Sequence, residues 1–370
     1  MNLSEPALAA ATAGTGRGTY REDRSYDWNY DHGPVFAGPW PVVPKTRPKR
    51  FLGLSVNSCL GIPAGLLLNA RWIDAYARLG FDLLTYKTVR SAARKCYPKP
   101  NWLYVPDPAP LASADPRALR AAGARDADAA RVTATVSFGM PSKDPAVWMA
   151  DVARARAALG PRQLLIVSVV ATPAAGGGER ELVADFADLT AMAREAGAHA
   201  VEANLSCPNV CTAEGEIFHD ARLSGKVARA MRKSAGKVPV LLKIGYLPER
   251  RALAALLKAV SGQASGVVMV NGVPRPVLDR AGRAAFGAGR KVAGILGRGI
   301  HELCVASVRD AVEIRERQRL DLEIVGVGGV AGAADAARFF DAGACAVMMG
   351  SAPMYDPYLA VRLKAAHPDW

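Results

Sequence analysis

No window of the chain approaches the eighteen apolar, uncharged residues that a membrane-spanning helix requires, which excludes a helical membrane protein. The opening residues lack a basic start followed by a long apolar run, so no secretory signal is expected. Cysteine is scarce: six thiols, at positions 59, 96, 207, 211, 304 and 345, without the spacing of a disulfide scaffold. They read as reduced thiols of a cytoplasmic protein. They also lack iron–sulfur spacing, so any such cluster would belong to a separate electron-transfer partner chain. No second Cys or His pair at finger-like spacing completes a metal site around Cys207 and Cys211, and no metal is expected. Aromatics are few, at 7% of residues, which bears on the net charge of +13. The basic clusters at Lys45–Arg50, Arg90–Lys99 and Arg280–Arg298 are not interleaved with several aromatics. That argues against a nucleic-acid partner and leaves a small anionic substrate as the simpler reading.

Half of the 370 residues are hydrophobic, enough for a sizeable core. Residues 1–20, rich in Ala, Gly and Thr, are expected to be disordered, and 20–48 to form an extended arm without helical or strand period. We therefore divide the chain into an arm, 1–50, and one large domain, 51–370. In the domain, short apolar runs bounded by Gly or Pro recur: "NSCLGIPAG", "FDLLTYKT", "LLIVSVV", "AVEANLS", "PVLLKIG", "GVVMVNG", "EIVGVGGV" and "AVMMGSA". Such runs suit strands buried on both faces. Amphipathic stretches of helical length separate most of them, among them "ARWIDAYARLG", "ERELVADFADLTAMAREAG" and "AGAADAARFFDAG". Eight strands alternating with helices predict an α/β fold, a TIM (β/α)8 barrel, over the doubly wound alternative. Residues 88–144 and 272–300 are connections too long to be simple loops, and in a barrel they sit over the C-terminal face, where long loops build active sites.

The unusual polar residues fall at the predicted strand ends. Lys87 ends the second strand, Asn204 and Cys207 the fourth, Lys243 the fifth and Asn271 the sixth. A lysine inside an apolar run is costly unless something anionic or electron-rich meets it; alone, either could snorkel out of the barrel end. The seventh strand ends in Gly328 and Gly329 and the eighth in Gly350 and Ser351, where many barrels hold a phosphate. Cys207 could be a buried hydrophobe or a general acid or base on a loop over the mouth. No Cys–His nucleophile stands out, because His199 falls several residues before that loop and His219 is expected to begin the next helix.

"NLSCPN" at 204–209 resembles the signature of dihydroorotate dehydrogenases, in the class whose base is cysteine, and the likeness extends over roughly residues 51–360. The resemblance implies FMN as cofactor, a small-molecule substrate and a homodimer. It implies that "IPAG" brings Ala64 and Gly65 to the flavin and that "YKT" brings Lys87 and Thr88, with Ser168 on the following strand. Asn204 would touch both flavin and substrate, and Lys243 in "LLKIG" would lie beside the flavin's pyrimidine edge. "AGILG" would contribute Gly294 and Gly297, and the last two strands Gly328, Gly329, Gly350 and Ser351. In the family's reaction dihydroorotate loses a proton from C5 and a hydride from C6 to flavin N5. Cys207 would take the proton, Lys243 would offset developing negative charge, and Lys87 would touch flavin and substrate. Asn204, Asn209 and Asn271 would grip the cyclic imide, and Pro208 would stiffen the turn.

Two positions depart from the pattern. The family loop of type "NSMGLPN" is "VSFGMPS" at 136–142, so Val136 replaces an amide, while Phe138, Gly139 and Met140 keep the loop's shape. The hydroxyl after the sixth strand's asparagine is lost at Gly272, and Arg275 brings a new charge. The flavin site is thus expected intact and the substrate site altered, with oxidation or reduction as the working direction. Two competing readings stand beside this one: a dihydrouridine-synthase-like flavoenzyme acting on RNA, and a flavin-binding, non-catalytic subunit.

Overall fold

The computed structural model describes residues 18–106, 110–111, 117–122, 132–173, 177–206 and 216–370. All eight apolar runs are strands. They are β3 (Leu60–Ile62), β4 (Leu83–Val89), β8 (Leu164–Val169), β9 (Ala200–Asn204), β10 (Val240–Lys243), β11 (Gly266–Met269), β14 (Glu323–Val327) and β15 (Ala346–Met348). They close into one barrel in the order β10-β11-β14-β15-β3-β4-β8-β9, every neighbouring pair parallel. Helices lie between them: α2 (Ala70–Arg78), α3 (Pro145–Ala158), α4 (Glu179–Glu195), α5 (Ala221–Ala235), α6 (Arg250–Val260), α7 (His301–Gln318) and α8 (Ala333–Asp341). Two further helices, α9 (Ala352–Tyr355) and α10 (Leu359–Ala366), follow the last strand. This is the TIM barrel expected.

Strand side chains alternate between two cores. Leu83, Ile166, Ala200, Leu241, Val268, Val325 and Met348 fill the barrel interior. Val167, Val201, Ala203 and Leu242 face the helices. A hairpin of β1 (Lys49–Phe51) and β2 (Leu54–Val56) packs Phe51 and Val56 onto the interior cluster, and Leu52 N–H donates to Glu323. At the same end Lys364 of α10 meets Asp82 at 2.6 Å, both almost fully buried, and Ser58 Oγ donates to that carboxylate.

The two long connections, too long for simple loops, carry strands of their own: β5 (Trp102–Tyr104), β6 (Leu119–Arg120), β7 (Thr133–Val136), β12 (Val273–Leu278) and β13 (Val292–Gly297) form one five-stranded sheet. β13 pairs antiparallel with both β7 and β12, so segments far apart in sequence satisfy one another's backbone groups. One expectation needs correction: the arm is not wholly extended. Helix α1 (Tyr26–His32) opens with Ser25, whose Oγ accepts the Trp28 N–H, and seven residues are too few to show a helical period. The expected disorder of 1–20 lies, for residues 1–17, outside the described residues.

Candidate active site at the barrel mouth

Strand order alone brings the predicted residues to one end of the barrel. Lys87, Thr88, Ser168, Asn204 and Lys243 all sit at C-terminal strand ends and are all buried. Ser168 Oγ and Thr88 Oγ1 lie 3.0 Å apart, and Asn204 Nδ2 is 3.3 Å from Thr88 Oγ1. Asn204 also turns its Oδ1 to the Ser206 N–H, fixing its amide orientation. Asn204 and Lys243 are register partners on β9 and β10.

Neither lysine snorkels. Lys87 Nζ donates to the Pro141 carbonyl at 2.6 Å and stands 5.3 Å from the Tyr26 ring centre. Burial and the nearby Arg90 push its pKa down to about 7, against an opposing pull from Cys96. Lys243 is 2% exposed. Burial lowers its pKa, against the opposing influence of Glu202.

The 136–142 segment runs from the five-stranded sheet down to this cluster. Val136 pairs with Gly294 and Trp102, and Gly272 lies against Ile295 and Leu296 beside the same strand. Phe138, Gly139 and Met140 follow, with Gly139 and Met140 at positive φ and Met140 Sδ 3.8 Å from Asn204. Arg90 ties the segment down: its Nε donates to the Met140 carbonyl and its Nη1 to Thr172. Asn271 follows the cis Met269–Val270 bond, and its N–H donates to Ile244.

A second group of predicted residues forms the rim. Gly329 approaches Gly297 so closely that a Cβ would lie 2.6 Å from the Gly297 carbonyl, and one on Gly328 would lie 2.3 Å from Cys304 Sγ. Gly350 faces Pro63, next to Ala64, while Gly65, at φ +141, has open space above it. The backbone N–H groups of Gly329, Gly350 and Ser351 have no acceptor among the described residues. Such free donors beside glycine suit a phosphate. Cys207 and Asn209 lie outside the described residues, as do Pro208 and Cys211.

Sequence reasoning missed the arm's part in this site. Tyr20 and Tyr26 pack on Phe138 with ring centres 6.0 and 6.3 Å away. Glu22 accepts from Tyr104 of the five-stranded sheet and from Tyr355 of α9. The aromatics of 20–48 were visible, but their direction was not. Arg90 was missed too, although a buried arginine just after Lys87 is the same anomaly as the lysine itself. His219 ends a short 3-10 turn, Ile217–His219, instead of starting the helix, because Asp220 caps α5 through the Leu223 N–H. His199 precedes β9, where it accepts the Leu165 N–H.

Fold and site together define a class: a (β/α)8 barrel whose mouth gathers buried lysines, an oriented amide and backbone N–H groups without acceptors among the described residues. A family model described as dihydroorotate dehydrogenase matches residues 48–366. Dihydroorotate dehydrogenase of Dictyostelium discoideum is 30% identical over 361 residues, covering 93% of this chain and 95% of the relative. A putative dihydroorotate dehydrogenase A (fumarate) of Aeropyrum pernix is 33% identical over 178 residues, 48% of this chain and 54% of the relative. The catalytic subunit of dihydroorotate dehydrogenase B (NAD(+)) of Solidesulfovibrio magneticus is 30% identical over 184 residues, 48% and 56% of the two chains. The chain thus spans about half the length of these last two. The chain belongs to the dihydroorotate dehydrogenase family, and is with it an FMN-dependent oxidoreductase acting on CH–CH bonds. The residues present fit FMN: a buried lysine, Lys243, for its electron-rich edge and backbone N–H groups without an acceptor among the described residues for its phosphate. Among the described residues no helix is long and apolar enough to cross a membrane, and no cluster of His, Cys, Asp or Glu could hold a metal ion.

Proposed function

We propose that the chain interconverts dihydroorotate, or a closely related cyclic amide, with its unsaturated product, using Cys207 as the acid–base residue. The observation that carries this is the family match across 48–366 together with the convergence of Lys87, Asn204 and Lys243. FMN, when bound, supplies the two-electron acceptor. Ala64, Gly65, Thr88, Ser168, Gly294 and Gly297 would border it, and Gly328, Gly329, Gly350 and Ser351 would receive its phosphate. Lys243 would offer a fixed positive charge where negative charge develops, in a site already emptied of competing solvent.

The chain's own part in the reaction is to bind, orient and move one proton. The C5 hydrogen of dihydroorotate is acidified by the adjacent carbonyl, and Cys207 Sγ takes it as a thiolate. An unperturbed thiol near ~8.5 gives mildly alkaline working conditions unless its site lowers it. Asn204, Asn209 and Asn271 pair with the imide, each amide offering donor and acceptor together. Lys87 and the backbone of Phe138, Gly139 and Met140 face the substrate's carboxylate. Each amide lost from such a pocket costs roughly 1–3 kcal/mol, so Val136, and to a lesser degree Gly272, shift preference away from dihydroorotate itself. We further propose a cytoplasmic homodimer that passes electrons on to a separate acceptor.

Val136→Asn tests the altered pocket. It should raise kcat/KM for dihydroorotate by roughly 5- to 150-fold, the rate equivalent of one restored amide contact. An unchanged or lower value would mean that Val136 is not where the substrate amide is missing.

A further inference from the structure

Behind the glycine rim stands a buried imidazole that the reaction above does not use. His301, the first residue of α7, is fully buried, and its ring sits edge-on to Phe339 of α8 with centres 5.5 Å apart. Its Nδ1 lies 2.9 Å from the Gly328 carbonyl oxygen. A carbonyl only accepts, so the ring donates from Nδ1, as both the Nδ1–H tautomer and the cation can. Across the ring, Nε2 is 3.6 Å from Asp335 Oδ1, too far for a hydrogen bond. Asp335 is itself fixed, at Oδ1 by Arg298 and at Oδ2 by the Ala331 N–H. The imidazole is thus wedged between an aromatic ring, a held carboxylate and the Gly328 carbonyl.

The oxygen that His301 holds belongs to the same peptide unit as the Gly329 N–H. The Gly328–Gly329 bond is trans, so its C=O and N–H point in opposite directions. Holding the oxygen toward His301 therefore turns the Gly329 N–H away from it, to a side where no acceptor meets it among the described residues. Gly328 is buried and Gly329 partly exposed, so that side is the open one. The unit lies between glycines at φ +143° and +66°, with no Cβ on either side to resist its turning over. We propose that His301 is a positioning residue for the FMN phosphate, fixing the Gly328–Gly329 peptide so that the Gly329 N–H is preset as a phosphate donor. The inference rests on the reading of Gly329 as part of the phosphate site.

The test compares dissociation constants for FMN and for riboflavin, which lacks the phosphate, on the full-length chain stripped of flavin. Wild type, His301→Leu and His301→Asn are measured. Leucine leaves the buried Gly328 oxygen without its donor, and the peptide relieves that loss by turning the oxygen outward, against the phosphate. FMN affinity should fall roughly 5- to 150-fold, the equivalent of one buried acceptor left unmet, with riboflavin affinity unchanged. Asparagine carries an N–H at the position of the imidazole Nδ1 and should restore most of the preference for FMN. A His301→Leu protein that keeps the wild-type preference would overturn the inference and leave the FMN reading intact. Equal losses for both flavins would also overturn it, since they mark a purely structural role. A wild type that binds FMN no better than riboflavin would remove the phosphate site, and this inference with it. If His301→Leu does not fold, nitrogen NMR of the histidine rings in the wild-type holoenzyme decides, with the His301 signals assigned through His301→Asn. Nδ1 of His301 should carry a proton, and a bare Nδ1 would refute the inference.

Discussion

Gly329 separates structural from cofactor-binding roles at the rim, because its geometry allows a magnitude to be worked out. Its φ is +66°, and a Cβ there would lie 2.6 Å from the Gly297 carbonyl oxygen and 2.9 Å from His301 Cβ. The left-handed conformation costs a non-glycine residue about 1–2 kcal/mol. Forcing an extra methyl against backbone adds about 1–3 kcal/mol, because neither neighbour is the free end of a flexible side chain. Gly329→Ala should therefore destabilise the flavin-free protein by about 2–5 kcal/mol, a fall in melting temperature of roughly 3–6 °C for a chain of this size. Gly350→Ala is the control: its Cβ would meet Pro63 at 3.5 Å, an ordinary contact, so stability should change by about 0.5 kcal/mol at most. Thermal unfolding of both apo-proteins, followed by FMN titration, is the assay. An apo Gly329→Ala protein that melts with the wild type would refute the reasoning, since the close approach to Gly297 would not then exist.

Other perturbations follow from the same structure. Lys87 titrates at about 7 in the free protein, so below that pH it is charged and above it neutral. The affinity for orotate should then weaken as pH rises above about 7, by up to about tenfold per unit, and a flat pH profile would show that Lys87 does not meet the ligand's carboxylate. Lys364→Met leaves the buried Asp82 carboxylate unpaired and should cost about 3–5 kcal/mol in urea unfolding; a loss below about 1 kcal/mol would mean water reaches the pair. Tyr26→Leu removes the ring beside Lys87 and Phe138 and should weaken orotate binding by roughly 2- to 30-fold at unchanged FMN content, read from flavin absorbance. Unaltered orotate affinity would place the arm outside the substrate chamber.

The barrel was legible because each of its strands is buried on both faces and therefore stands in the sequence as a short, nearly unbroken apolar run. Lys87 and Lys243 were legible for the converse reason, as charges interrupting such runs. The same logic applies to Glu202, a charge inside the apolar run "AVEAN". The five-stranded sheet was not legible: its strands are short, and its central pairing joins β7 to β13 across half of the barrel's circuit. Nothing local in "VAGILG" names "TATV" as its partner. The arm was legible as a segment outside the barrel, but the direction of Tyr20 and Tyr26 depends on contacts with Trp72 and Phe138 that only the folded barrel creates. For Cys207, which lies outside the described residues, the sequence motif carries the assignment alone.

The most direct test is an anaerobic visible spectrum of the purified protein before and after dihydroorotate is added, for the wild type and Cys207→Ala. The account predicts a yellow protein whose flavin band bleaches with dihydroorotate, slowly in the wild type because of Val136, and orders of magnitude more slowly in the variant. A yellow protein that bleaches equally fast with and without Cys207, or a colourless one that FMN cannot reconstitute, would contradict it.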